Sequence, residues 1–239
     1  MLNKSKLTLA FVPARGGSKG IYKKNLALLN NKPLIQYTLD LCSKNLHVDD
    51  TMVSSDDSDI LDYVSKLGFS KEYLRPSNIA SDESSIVDAV IDGVNWYEKK
   101  HKKIVSVVVL LQPTSPIRKQ SEINKAIDFF RKNKLQSIFS VIKMREAPYE
   151  CIEITNQNIE WIYLRNPPKL NSRRQDYKGT FGFIDGSFYI ATMNFLREHR
   201  SFIKKSISKP FFLKYNAQID VDTEYDLEIV NKNIYRSNK

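Results

Sequence analysis

The chain has 239 residues, 41% of them hydrophobic, enough to bury a sizeable core in one domain with an elaboration or in two small ones. Its 37 Lys+Arg against 27 Asp+Glu leave a net charge of +10, which favours an anionic partner without choosing among nucleic acid, nucleotide, sugar acid and membrane. Two cysteines, Cys42 and Cys151, stand outside any CxxC or Cys/His spacing, which argues against a disulfide framework or a zinc site and fits a reducing cytoplasm.

The longest strongly apolar run, Ile104 to Leu111, falls far short of the ~20 residues that cross a bilayer, so no membrane insertion is expected. Residues 1 to 14 resemble a signal peptide weakly, but Arg15 and Lys19 follow LTLAFVPA too soon for a cleavage region, and no export is expected.

In chain order, strand and helix signals alternate through the first 142 residues. Leu7 to Val12, Thr51 to Ser54, Ile104 to Leu111 and Ser137 to Ile142 are short apolar or β-branched runs bounded by polar residues, and read as strands. Between them Pro33 opens a helix with Leu34, Ile35, Thr38, Leu39 and Cys42 on one face. Ser58 is expected to cap a second helix, closed by Gly68. A third is expected over Ile86 to Tyr97, and a fourth over Ser121 to Lys132 with Ser121 as its cap. The rhythm predicts an α/β fold with a mainly parallel sheet and helices on both faces.

From Lys143 to about Lys178 no period holds, and irregular chain of that length inside a domain marks a lid or a subunit contact. Ser187 to Ala191 and Phe211 to Tyr215 read as further strands. A last helix over Thr223 to about Ile234 carries a Thr223/Asp226 capping box. The expectation is one domain over 1–239, with about 143–178 inserted.

Ligands of open α/β sheets lie beyond the carboxyl ends of the strands, where four polar loops fall. PARGGSKGIYKKN is neither a P-loop nor GxGxxG, yet its glycine amides suit phosphate oxygens and Arg15, Lys19, Lys23 and Lys24 suit their charge; the alternative is an ordinary surface turn. LLQPTSPIR offers Gln112, Thr114, Ser115 and Arg118 on a backbone stiffened by prolines, or simply a rigid turn. In QIDVDTEYD, residues two apart face alike, so Asp220 and Asp222 project together while Val221 points inward. Two such carboxylates suit magnesium, unless Asp222 only starts the helix. SRRQDYKG places Arg173, Arg174 and Gln175 before the strand of Tyr189, either as solvated surface or as a carboxylate clamp.

PARGGSKG with Lys24 and Asn25, LRPSNIASD at 74 to 82, LQPTSPIR, RRQD and IDVDTEYDL, in this order, resemble the acylneuraminate cytidylyltransferases over residues 7 to 235. That family makes CMP-activated sialic acids and related bacterial nonulosonic acids. The resemblance implies a Rossmann-like nucleotidyltransferase fold, a cytoplasmic homodimer whose 143–178 element reaches the neighbour's site, and Mg²⁺-dependent transfer of CMP from CTP to a nonulosonic acid.

It further implies that Arg15 and Lys24 handle the CTP phosphates beside Ala14, Gly16, Ser18 and Asn25, and that Arg75 and Ser85 touch cytidine. By the same resemblance Gln112 would contact substrate, with Thr114 and Ser115 as candidate donors beside it, Asp220 and Asp222 would hold Mg²⁺, with Asp222 essential to catalysis, and Arg174, Gln175 and Tyr189 would bind the acidic sugar. Where sialate enzymes commonly carry an Asn-Gly-Ala-Tyr type segment, this chain has Asp185-Gly186 and Ser187-Phe188-Tyr189, so legionaminate-like, pseudaminate-like and Kdo-type acids stay open. A basic nucleic-acid-binding protein is the rival class, disfavoured by the lack of an RNP1-like or basic-helix motif.

Overall fold

A computed structural model describes residues 6–44, 46–144, 148–154, 159–161, 180–214 and 220–237. Strand β1 (Lys6–Pro13) is followed by a polar loop, a 3-10 turn at Lys24–Leu26, the short pair β2 (Leu28–Leu29) and β3 (Lys32–Pro33), and helix α1 (Leu34–Cys42). Then come β4 (Asp50–Ser54), α2 (Ser58–Lys66), α3 (Ile86–His101), β5 (Ile104–Leu110), α4 (Gln120–Lys132) and β6 (Ser137–Lys143). The small pair β7 (Ile152–Ile154) and β8 (Ile159–Trp161) precedes β9 (Gly182–Thr192), α5 (Met193–His199), β10 (Lys209–Phe212) and α6 (Glu224–Ser237).

Six strands form one sheet in the order β10-β6-β9-β5-β1-β4. β1 pairs in parallel with β4 and β5, and β6 with β10, whereas β9 runs antiparallel to both its neighbours. Burial on both faces explains the near-continuous apolar runs, since each central strand has helices above and below. On one face Leu9, Phe11, Met52, Val108 and Leu110 pack against α3 and α5 through Val90, Val94, Phe195 and Leu196. On the other, Ala10, Val109, Leu111 and Ile190 meet α4 through Ile123, Ile127 and Phe130, while Val12 and Val53 meet α1 and α2.

The differences from the sequence reading lie at element ends and inside 143–178, where β7 and β8 pair antiparallel in a stretch expected to be aperiodic. Asp57, not Ser58, caps α2: its carboxylate accepts from the amides of Asp59 at 2.7 Å and Ile60 at 3.3 Å. α4 starts at Gln120 after Lys119 with no side-chain cap, so Ser121 lies inside the first turn and caps nothing. The strand expected at Ser187 to Ala191 is the inner part of an 11-residue β9, and α3 continues to His101. β10 begins earlier than expected and ends at Phe212; Tyr215 lies outside the described residues.

The α6 capping box is present. Thr223 Oγ1 accepts from the Asp226 amide at 3.2 Å, and the Asp226 carboxylate accepts from the Thr223 amide at 2.8 Å.

β6 and β9 stay paired to Lys143 opposite Gly182, and the Met144 amide donates to the Phe181 carbonyl at 2.9 Å. Met144 and Phe181, the residues on either side of the intervening chain, thus stand side by side at one point of the sheet.

Candidate active site

Parallel pairing of β1 with β4 and β5 brings the three loops that follow them to one edge. After β1 the chain still follows the sheet for one residue, with the buried Ala14 amide donating to the Ser54 carbonyl at 2.8 Å. It then turns under side-chain control. The Gly16 amide donates to the Asp56 carboxylate at 2.9 Å, and the buried Asn25 donates its Nδ2 to the Arg15 carbonyl at 2.8 Å, tying the two ends of the loop together. A Cβ on Gly20 would lie 2.1 Å from the Asp222 carbonyl oxygen, so only glycine admits this contact between the loop and the α6 approach.

The loop after β5 is tied to the same approach. The Val221 amide donates to the Thr114 carbonyl at 2.7 Å, and the buried Ser115 hydroxyl donates to Asp220 at 3.2 Å. Val221 is fully buried and Asp220 and Asp222 are exposed, the alternation expected of an extended segment. Arg118, expected to add charge to a ligand, does something else. Its guanidinium donates to the Ser187 carbonyl at 2.7 Å, to Thr38 Oγ1 at 2.9 Å and to the Gln112 carbonyl, holding the loop against β9 and α1.

These loops enclose a cleft of about 400 Å³. Of the residues singled out from sequence, Arg15, Ser18, Lys24, Asn25, Arg75, Ser85, Gln112, Thr114, Asp220 and Asp222 line it. Ala14, Gly16 and Ser115 support the lining from behind through the bonds above. Tyr189 lies in an adjoining cavity of about 370 Å³, which shares Ser85, Ile86 and Gln112 with the cleft and adds Arg200, Phe202 and Ile203. Burial pushes the Tyr189 phenol pKa up, with the charges of Asp185 and Asp220 adding to the shift. Arg174 and Gln175 lie outside the described residues.

Charge in the cleft is organised in opposed pairs. Lys24 Nζ sits 2.8 Å from the Asp222 carboxylate, and Arg15 sits 2.5 Å from Asp82, which Lys19 also approaches at 3.2 Å. Lys23, expected among the phosphate cations, adopts φ 47° and turns away to Asp59 at 2.5 Å. Arg75 is buried and donates its Nε to Ser54 Oγ at 2.9 Å and its Nη2 to the Ser54 carbonyl; desolvation lowers its pKa, opposed by Asp56. Ser85 caps α3 by accepting from the Val87 amide at 3.2 Å. Arg75 and Ser85 thus shape the wall as well as face the cleft.

Sequence reasoning missed Asp82, Asp56 and the second cavity's Arg200. For Asp82 the sequence does carry a signal, since it closes LRPSNIASD, one of the motifs of the family resemblance.

Asp220 and Asp222 offer exposed, hard oxygen donors on one cleft wall, a set that fits Mg²⁺ shared with phosphate oxygens. Among the described residues no group of three or more His, Cys, Asp or Glu is placed to hold a metal, so any ion here draws its remaining ligands from substrate or water.

A family model described as Cytidylyltransferase matches residues 9–210. A pseudaminic acid cytidylyltransferase of Campylobacter jejuni subsp. jejuni is 31% identical, the match covering 96% of this chain and 97% of that protein. A CMP-N,N'-diacetyllegionaminic acid synthase of Legionella pneumophila subsp. pneumophila is 32% identical over 94% of each. In fold, a CMP:2-keto-3-deoxy-manno-octonic acid synthetase complexed with CTP superposes with a TM-score of 0.67 at 17% identity, covering 98% of this chain and 100% of that one. With its Rossmann-like sheet and the match across 9–210, this chain belongs to the cytidylyltransferase family of nucleotide-transferring enzymes.

Proposed function

We propose that the protein catalyses Mg²⁺-dependent transfer of CMP from CTP to the anomeric hydroxyl of a nonulosonic acid of sialic, legionaminic or pseudaminic type, releasing pyrophosphate. The observation that carries this is the cleft at the mouth of the sheet that gathers Arg15 and Lys24 with Asp220 and Asp222, Lys24 pairing with Asp222 while Lys19 approaches from the rim to Asp82. Identities of 31% and 32% to a pseudaminic and a legionaminic enzyme weigh the two acids equally, so the sugar is named at the level of the class.

The triphosphate lies along the 14–24 loop, its charge met by Arg15, Lys19 and Lys24. Gln112 and Thr114, on a loop fixed by Arg118, orient substrate beside the α-phosphate. The sugar hydroxyl gives its proton to water and attacks phosphorus in line; its oxygen bonds to phosphorus as the bond to the bridging oxygen breaks, and that oxygen leaves with the electron pair on pyrophosphate. Asp220 and Asp222 would hold magnesium, which when bound supplies charge neutralisation at the phosphates. The sugar occupies the adjoining cavity beside Tyr189, with Arg174 and Gln175 engaging its carboxylate.

We further infer that the chain is one domain in which 143–178 forms a dimerisation element. An excursion that leaves and returns between paired β6 and β9 adds an interface without disturbing the sheet. A cytoplasmic homodimer fits CTP as substrate and the two free cysteines, Cys42 and Cys151.

The test is incubation with CTP, Mg²⁺ and a panel of sialic, legionaminic, pseudaminic and Kdo acids, with CMP-sugar detected by mass. The expected result is product from a nonulosonic acid and CTP used over UTP, because a pocket built for an exocyclic amine leaves polar groups unmatched with uracil. Product from Kdo alone would reassign the sugar. Equal use of UTP would remove the base assignment.

A further inference from the structure

We infer that Asp82 is a resident counter-anion of the phosphate site: its carboxylate occupies the cations that bind the leaving pyrophosphate, competes with phosphate for them, and returns to them as pyrophosphate departs. This rests on the proposed nucleotide-transfer function and names a residue with no part in binding the base or the sugar.

The geometry is specific. One carboxylate oxygen of Asp82 meets Arg15 at 2.5 Å and the other meets Lys19 at 3.2 Å, so a single side chain spans two of the three phosphate cations. The third, Lys24, is covered by Asp222 at 2.8 Å from the opposite wall. Each of the three cations proposed for phosphate therefore already holds a protein carboxylate.

Asp82 comes from a different element than the cations, a turn tied to itself. The Ser84 amide donates to the Ser81 carbonyl at 3.2 Å, the Ser81 amide to Ser84 Oγ at 3.1 Å, and the two hydroxyls share a bond of 2.8 Å. The turn thus presents Asp82 without relying on Arg15 or Lys19. Those two cations, Lys19 first, hold the Asp82 carboxyl below the usual range, so it stays ionised at neutral pH.

A carboxylate that must be displaced weakens every anion using these cations by a common factor, since binding requires the state in which they are free. CTP and pyrophosphate both bear that factor. Cytidine does not, because it has no phosphate. The consequence for turnover falls on release: an anion already tethered beside Arg15 and Lys19 re-pairs with them faster than solvent ions do, which disfavours retention of pyrophosphate.

The experiment measures pyrophosphate, CTP and cytidine binding by calorimetry to wild type, Asp82→Asn and Asp82→Glu at low ionic strength, with thermal melting of each. Asp82→Asn is expected to bind pyrophosphate and CTP about fivefold more tightly, as loss of a partly exposed ion-pair competitor implies, with cytidine unchanged. Added salt should shrink the gain, and Asp82→Glu should restore wild-type behaviour. Unchanged or weaker pyrophosphate binding in Asp82→Asn, in a variant that melts like wild type, overturns the inference. A lowered melting point with weaker binding of all three ligands also overturns it, because Asp82 would then be holding the wall. If wild type binds cytidine but no pyrophosphate, the phosphate site itself is misassigned; if it binds neither, the nucleotide-transfer function fails as well.

Discussion

The loops after β1 and β5 begin as near equivalents: each leaves a central parallel strand at the same edge, and each carries one arginine close to the turn. Their arginines have opposite fates. Arg15 faces the cleft with a carboxylate for a partner, whereas Arg118 is spent on two backbone carbonyls and a hydroxyl. A carboxylate can be exchanged for a phosphate oxygen at little net cost, because one anion replaces another. A phosphate cannot take the place of a backbone carbonyl in the same way, because releasing Arg118 breaks bonds that fix the loop and gains no anion in exchange. What distinguishes a ligand-binding cation from a structural one here is therefore the acceptor it holds. Arg75, anchored on Ser54, combines the two cases, buried like a strut yet forming part of the cleft wall.

The largest effect is expected where an exchangeable pair is also the proposed metal site. Asp222→Asn keeps size but removes charge, and kcat should fall by roughly 10²-fold, on the order of 3 kcal/mol of transition-state stabilisation. Melting should barely change, since the α6 capping box is made by Thr223 and Asp226 and stays intact. Full activity of the variant at saturating Mg²⁺ would remove Asp222 from the site and reduce its pair with Lys24 to surface electrostatics.

The two arginines are expected to separate cleanly. Arg118→Ala removes three hydrogen bonds, to the Ser187 and Gln112 carbonyls and to Thr38, that tie the loop to β9 and α1, and should cost about 2 kcal/mol, lowering Tm by about 4–8 °C for a chain of this size. Arg15→Ala should leave Tm close to wild type and raise the KM for CTP about tenfold, as loss of a charge-assisted phosphate contact implies. Melting curves and CTP titrations on both variants decide it. A destabilised Arg15→Ala, or an Arg118→Ala that melts normally and loses only CTP, would erase the distinction between exchangeable and fixed partners.

That distinction marks where sequence reading stops. Strand and helix positions were legible because burial on both faces writes apolar runs, and helix starts write local caps such as Thr223/Asp226. The Asp220/Val221/Asp222 alternation was legible for the same local reason. The fate of Arg118 was not, because its acceptors Thr38 and Ser187 lie 80 and 69 residues away in sequence and meet it only once α1 and β9 flank the loop. Asp57 displaced Ser58 as a cap because either residue suits the position, and only the extended backbone at Asp57, φ −110°, selects between them. Asp82 was hidden for a different reason: a carboxylate in a phosphate site looks misplaced until its two cations are seen on it.

The smallest effect tests the comparison at closest range, between adjacent lysines. Lys23 and Lys24 share charge and chemistry, and in the sequence both suit a phosphate. In the fold Lys23 takes a left-handed backbone conformation that sends its side chain out to Asp59 in the first turn of α2, while Lys24 begins the 3-10 turn and reaches Asp222 in the cleft. The Asp59 pair holds the Lys23 ammonium pKa above its usual value, so Lys23 is charged throughout the neutral range and no protonation change enters the experiment. Lys23 points out of the cleft, and a surface ion pair contributes little to affinity across a screened solvent path. Lys23→Met should therefore change the KM for CTP about twofold or less. Lys24→Met should raise it about fivefold or more, because the ammonium proposed to contact phosphate is lost. Both should be measured with CTP varied at saturating sugar and Mg²⁺. Equal losses in the two variants would mean that the loop turns to bring Lys23 inward on binding, and that net charge rather than the partner each lysine holds governs this edge of the sheet.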